Sequence, residues 1–146
     1  MIDAKRYADE IADPTIAEFE LDPRSPRRAF LACVATFHLI DYIAHPNKAA
    51  NQRVVFRRES QAFAAIDRVA HAFKHVVTGH PDSADLQPLA SSDVIERPPA
   101  FWDQAVWDLS RWDDAIGGVT ISGEHHRDLL EDVKEAAAFL RSKLAS

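Results

Sequence analysis

From Ala29 to Ala44 the chain is apolar almost all round when wound as a helix, with Phe30, Leu31, Cys33, Val34, Phe37, Leu39, Ile40 and Ile43 on every side. A helix of that kind belongs in the middle of a fold. It opens on Ser25 as N-cap and Pro26 at the first helical position, and "HPN" stops it, because a residue before proline leaves helical space. The following helix runs from about Val55 to Thr78, ended by Gly79 and Pro81. It is amphipathic, with a core stripe of Ala62, Ala65, Ile66, Val69, Phe73 and Val76. Ser60, Asp67, Arg68, His71, Lys74 and His75 lie opposite. Upstream, residues 3–20 form a short amphipathic helix interrupted at "DPT", where Asp13 and Pro14 restart it.

Residues 81–98 carry loop chemistry. The stretch from Pro99 to Trp112 fits helix or strand, and a short β element is expected around Val119–Ile121. Ser122 then caps a final helix whose stripe is Leu129, Val133, Ala136, Leu140 and Leu144. The pattern as a whole predicts one all-α domain over residues 1–146. Its architecture is an antiparallel bundle of four or five helices with a minor β-hairpin near residues 105–121.

Composition adds an asymmetry that the net charge of −6 conceals. Residues 1–22 hold two basic and seven acidic side chains, residues 23–80 nine and three, and residues 81–146 six and thirteen. Five of the seven histidines also fall in the basic middle. Acidic outer helices packed on a basic central hairpin would neutralise it; the same hairpin could instead offer a local phosphate-seeking surface. No apolar run approaches a membrane span, and the start has no secretory pattern, so a cytoplasmic protein that does not meet the membrane is expected. The single cysteine, Cys33, has apolar helix neighbours and reads as packing. No phosphate loop, dinucleotide fingerprint or nucleophile elbow is present, and no cofactor is expected.

Candidate chemistry gathers in "FHLIDYIAH" and "DRVAHAFKH". At roughly 100° per residue, His38, Asp41, Tyr42 and His45 share a narrow sector of the central helix. Asp67, Arg68, His71, Lys74 and His75 share a face of the next one, and a short connection makes the two helices antiparallel neighbours. One reading is a metal site: His71 and His75, at i and i+4, would share an ion with Asp67 or with Asp41. His38 and His45 stand two turns apart, roughly 10 Å of rise, and cannot join on one ion.

A second reading comes from a resemblance. Arg68 and His75 stand as R-x-x-x-x-x-x-H on one face of a long helix, which is similar to the R-x(4–6)-H signature of the HEPN superfamily. In that motif a polar residue usually follows the arginine; here it is Val69. "TFHLIDYIAH", "AIDRVAHAFKH" and "GGVTISGEHHRDLLEDV" followed by "FL" also resemble a group of small bacterial and phage helical proteins with an H-L-x-D helix and a following helix ending in Lys-His. That group has no established activity; the HEPN resemblance implies a metal-independent RNase of a toxin or defence system, with His75 as acid/base and Arg68 stabilising phosphate. It also implies a homodimer that brings two motifs into one cleft, RNA as substrate, and an antitoxin or other protein partner. His38, Asp41, His45, His71 and Lys74 would line the binding surface. Proton transfer by an imidazole beside a fixed cation suits RNA cleavage.

The third reading is packing alone. His38 and Asp41 would form a buried, hydrogen-bonded pair in an interaction module, with Arg68, Lys74 and His75 facing solvent. "EHHR" (124–127) is expected in the first turn of the final helix, as surface. Trp102, Trp107 and Trp112 recur every five residues and are expected to form a lid or interface over the core.

Overall fold

The computed structural model describes residues 3–77, 88–124 and 127–144. It is helical with one small sheet, as the pattern implies. The N-terminal arm comprises α1 (Ala4–Tyr7), a π-type stretch Ala8–Ala12 and α2 (Asp13–Leu21). "DPT" therefore widens the helix instead of breaking it. Pro14 has no N–H to give the turn before it, and the ladder loosens just ahead of it.

The central helix α3 (Pro26–Ala44) begins where expected, with the Ser25 side chain accepting from the Arg28 N–H. It packs against α5, α6 and α2. The amphipathic segment expected from Val55 to Thr78 is two helices, α4 (Ala50–Glu59) and α5 (Gln61–His75). Ser60 turns extended between them, and its hydroxyl accepts from the Phe63 N–H at 3.1 Å. α5 ends before Gly79 and Pro81, which lie outside the described residues, because Val76 takes φ +68°. The stripe Ala62, Ile66 and Val69 is buried as expected, whereas Phe73 and Val76 are exposed and Asp67, expected outside, is fully buried.

The last helix, α6 (Leu129–Leu144), starts seven residues after Ser122, which lies in a turn. Leu129, Val133, Ala136 and Leu140 seal it onto α3 and α5 with almost no exposed surface. Burial of each large aliphatic side chain here stabilises by about 1.5–3 kcal/mol. Phe56 of α4, Phe63 of α5 and Phe139 of α6 meet edge-on or tilted, with centroids 5.2–6.4 Å apart. Cys33 is buried among apolar neighbours, and that burial pushes its thiol pKa up.

The sheet is where expectation and structure part most. β2 (Gly118–Ile121) lies where expected, but its antiparallel partner is β1 (Val94–Arg97), inside the segment read as loop. Residues 99–112 are neither helix nor strand but a string of turns. The excursion between the strands is closed at its base. Arg97, with no exposed surface, forks onto Asp128 at 3.0 and 2.7 Å and also pairs with Asp114. Asp114 in turn accepts from the N–H groups of Ile116 and Gly117. The Ala100 N–H donates to the Asp114 carbonyl, and the Ser110 hydroxyl donates to the Pro98 carbonyl. Gly117 takes φ +79° with the Arg97 carbonyl where a Cβ would project, so the neck admits no side chain there.

Candidate functional site

Two antiparallel-facing helices and the start of α4 enclose an open cleft of about 670 Å³. His38 and Asp41 line it from α3, His71, Phe73 and Lys74 from α5, and Lys48 and Arg53 from the approach to α4 and its body. This is the cleft expected between residues 38–45 and 67–75, and among the described lining residues its cations outnumber its one carboxylate.

At its floor stands His71. Its Nδ1 lies 2.8 Å from the backbone carbonyl of Asp67 and 2.7 Å from the Asp67 Oδ1. Asp67 itself has no exposed side-chain surface and accepts from Arg57 Nη1 at 2.9 Å. On the open side, His71 Nε2 lies 3.4 Å from Arg53 Nη1. An arginine nitrogen can only donate, so in the neutral ring Nδ1 carries the proton and Nε2 is the acceptor. The Asp67 carboxylate beside the ring holds the His71 pKa above its ordinary value, against the opposing effect of partial burial. Arg53 stacks over the Phe37 ring at 5.6 Å, and its Nε is buried with no hydrogen-bond partner among the described residues.

The remaining site residues fall in different places. His38 Nδ1 and Asp41 Oδ2 are 2.8 Å apart, so the pair expected by the packing reading exists; with side chains 50% and 52% exposed, it is not buried. Both stand on a ridge of α3, since they also line a second cleft of about 680 Å³ on the side of the N-terminal arm. His45 lines that second cleft and is not among the residues that line the first with His71. The sector expected from helical geometry faces the N-terminal arm: His38, Asp41, Tyr42 and His45 all line this second cleft, where Tyr7 stacks on Tyr42 at 4.2 Å.

Arg68 points away from both. Its Nη1 and Nη2 donate to Glu124 at 3.1 and 3.2 Å, and it lines a cavity of about 230 Å³ with Arg57, Arg127 and Asp132, to which His75 does not contribute. Asp132, buried there, has its pKa pushed up to about 6 by desolvation, with Arg127 opposing. His75 is exposed at the end of α5, its ring 6.3 Å from that of His71. Asp67, His71 and His75 do not converge, because Asp67 is turned inward to Arg57; among the described residues no three such side chains are placed to hold a metal ion. Glu124 precedes α6 instead of lying in its first turn, and His125 and His126 lie outside the described residues.

Sequence reading missed Arg53 and Lys48 as members of the site. The signal was available in Ser60: a cap there ends α4 and swings its basic face across α5. Among the described residues no helix is long and apolar enough to cross a membrane. No protein-family model matches the sequence, and neither a curated protein nor a solved structure matches it.

Proposed function

We propose that the protein acts on RNA without a metal ion, and that its reacting centre is His71 with Arg53. The observation that carries this reading is the chain of contacts from buried Asp67 through His71 to Arg53 at the floor of an open basic cleft. His71 and Arg53, 3.4 Å apart, supply the imidazole and fixed cation that the chemistry expected of Arg68 and His75 requires. His71 Nε2, released as Arg53 turns to the phosphate, takes the proton of a ribose 2′-hydroxyl, and the 2′-oxygen attacks the adjacent phosphorus. Asp67 fixes the ring tautomer and stabilises the imidazolium, while Arg53, Lys48 and Lys74 face the charge growing on phosphorus. The bond to the 5′-oxygen breaks, and the imidazolium of His38, in the same cleft, gives its own proton to that oxygen; solvent then takes the proton from His71 and restores that of His38. The products are a 2′,3′-cyclic phosphate and a 5′-hydroxyl end. Phe73, half exposed at the rim, offers a base a stacking surface.

The HEPN-type resemblance, a homodimer, an antitoxin partner and a cytoplasmic setting belong to this same proposal. The decisive assay is cleavage of mixed RNA in excess EDTA by wild type, His71→Gln, Arg53→Gln and His75→Ala. Loss in the first two variants with activity kept in the third supports the reading. Loss confined to His75→Ala returns the chemistry to the R-x6-H pair, and a folded wild type that neither binds nor cleaves RNA overturns the proposal.

A further inference from the structure

The turns between the strands expose Trp102, Trp107 and Trp112 at 100%, 85% and 88%, so they do not cover the core as expected. Yet they are not scattered. All three line one pocket of about 240 Å³, floored by Ala105, Val106 and Ser110. The Trp107 and Trp112 rings stand at 83° to each other with centroids 6.1 Å apart, so two walls meet nearly at a right angle. The closed neck holds them in place: the Ser110 hydroxyl accepts from the Val106 N–H at 2.9 Å and donates to the Pro98 carbonyl at 3.2 Å.

The charge around the pocket is one-sided. Between Pro98 and Gly117 stand four aspartates and one basic residue, Arg111. Asp114 is committed to Arg97, while Asp103, Asp108 and Asp113, each next to a tryptophan in sequence, are exposed. Indole faces attract cations, most strongly those whose weak hydration makes them cheap to desolvate, and a surrounding negative field reinforces this. We propose that this pocket is an aromatic cage for a small quaternary ammonium compound. The same acidic rim disfavours an anionic bilayer surface as the occupant.

The chain's three tryptophans are all in this loop, so intrinsic tryptophan fluorescence reports on the pocket alone. The test titrates the full-length protein with choline and with its uncharged isostere 3,3-dimethylbutanol. Saturable quenching by choline, at least tenfold weaker with the isostere and at least tenfold weaker in Trp107→Ala, is the expected result. Since Trp107 is exposed, that variant should keep the wild-type circular dichroism and melting temperature. Asp103→Asn/Asp108→Asn should weaken choline several-fold with the rings intact. Equal response to choline and isostere, no response to either, or binding seen only on phosphatidylcholine vesicles would each overturn the proposal. None of these outcomes depends on RNA cleavage.

Discussion

Replacing Asp67 by Asn probes the floor of the cleft directly. The carboxylate has no exposed surface and holds two basic partners, Arg57 at 2.9 Å and His71 at 2.7 Å. Hydrogen bonds to a charged group contribute about 1.5–3 kcal/mol each, and breaking a buried ion pair from one side costs about 3–5 kcal/mol. Asn keeps the volume and one acceptor oxygen, so Asp67→Asn should lose about 3 kcal/mol. The loss should also depend on pH. Because the Asp67 carboxylate holds the His71 pKa above its unfolded value, the stabilisation from charged His71 is complete below about pH 6.5 and disappears as pH rises through the raised value. Urea unfolding at about pH 5.5 should therefore show a larger deficit than at about pH 8.5. An NMR titration, with His71 assigned by His71→Gln, should find its midpoint shifted down in the variant. A deficit under about 1 kcal/mol at both pH values, or an unmoved His71 midpoint, would refute the argument.

Asp132→Asn should behave oppositely. A carboxyl raised to about 6 from an unfolded value near 3.9 destabilises the fold as pH climbs through that window, by about 3 kcal/mol at 1.36 kcal/mol per unit. The stability of Asp132→Asn relative to wild type should therefore improve by up to that amount between about pH 4 and pH 7, measured by urea unfolding. Gly118→Ala should lower the melting temperature by several degrees, since its Cβ would lie 2.7–3.0 Å from the Asp128 carboxylate that holds Arg97.

What could be read in advance was what sequence neighbours determine. Ser25 and Pro26 start α3 through contacts within four residues, and the α6 stripe needs only helical spacing. Features set by distant chain were hidden. β1 is four residues long and pairs with a strand beyond the whole tryptophan loop, leaving no local alternation to find. Asp67 was placed outside because it is charged; Arg57, ten residues away on another helix, is what lets it sit inside. Phe73 was placed inside because it is apolar, but it packs on Phe30 at 4.9 Å and lines the cleft. For the candidate cleft, that His38, Asp41, His71 and Lys74 would line it together was legible from helical phase. Arg53 was not, because the break at Ser60 was not.

The buried fork of Arg97 on Asp114 and Asp128 divides the chain into parts with different tolerance to mutation. Side chains at the neck answer to folding, since each change there strands a charge. Side chains at the tip of the tryptophan loop contact solvent and one another, so substitutions there leave the helices undisturbed. A scaffold arranged this way can diversify its tip while holding its frame, much as a handle accepts different blades, and sequences of the same fold should vary at the tip far faster than at positions 97, 114, 117, 118 and 128.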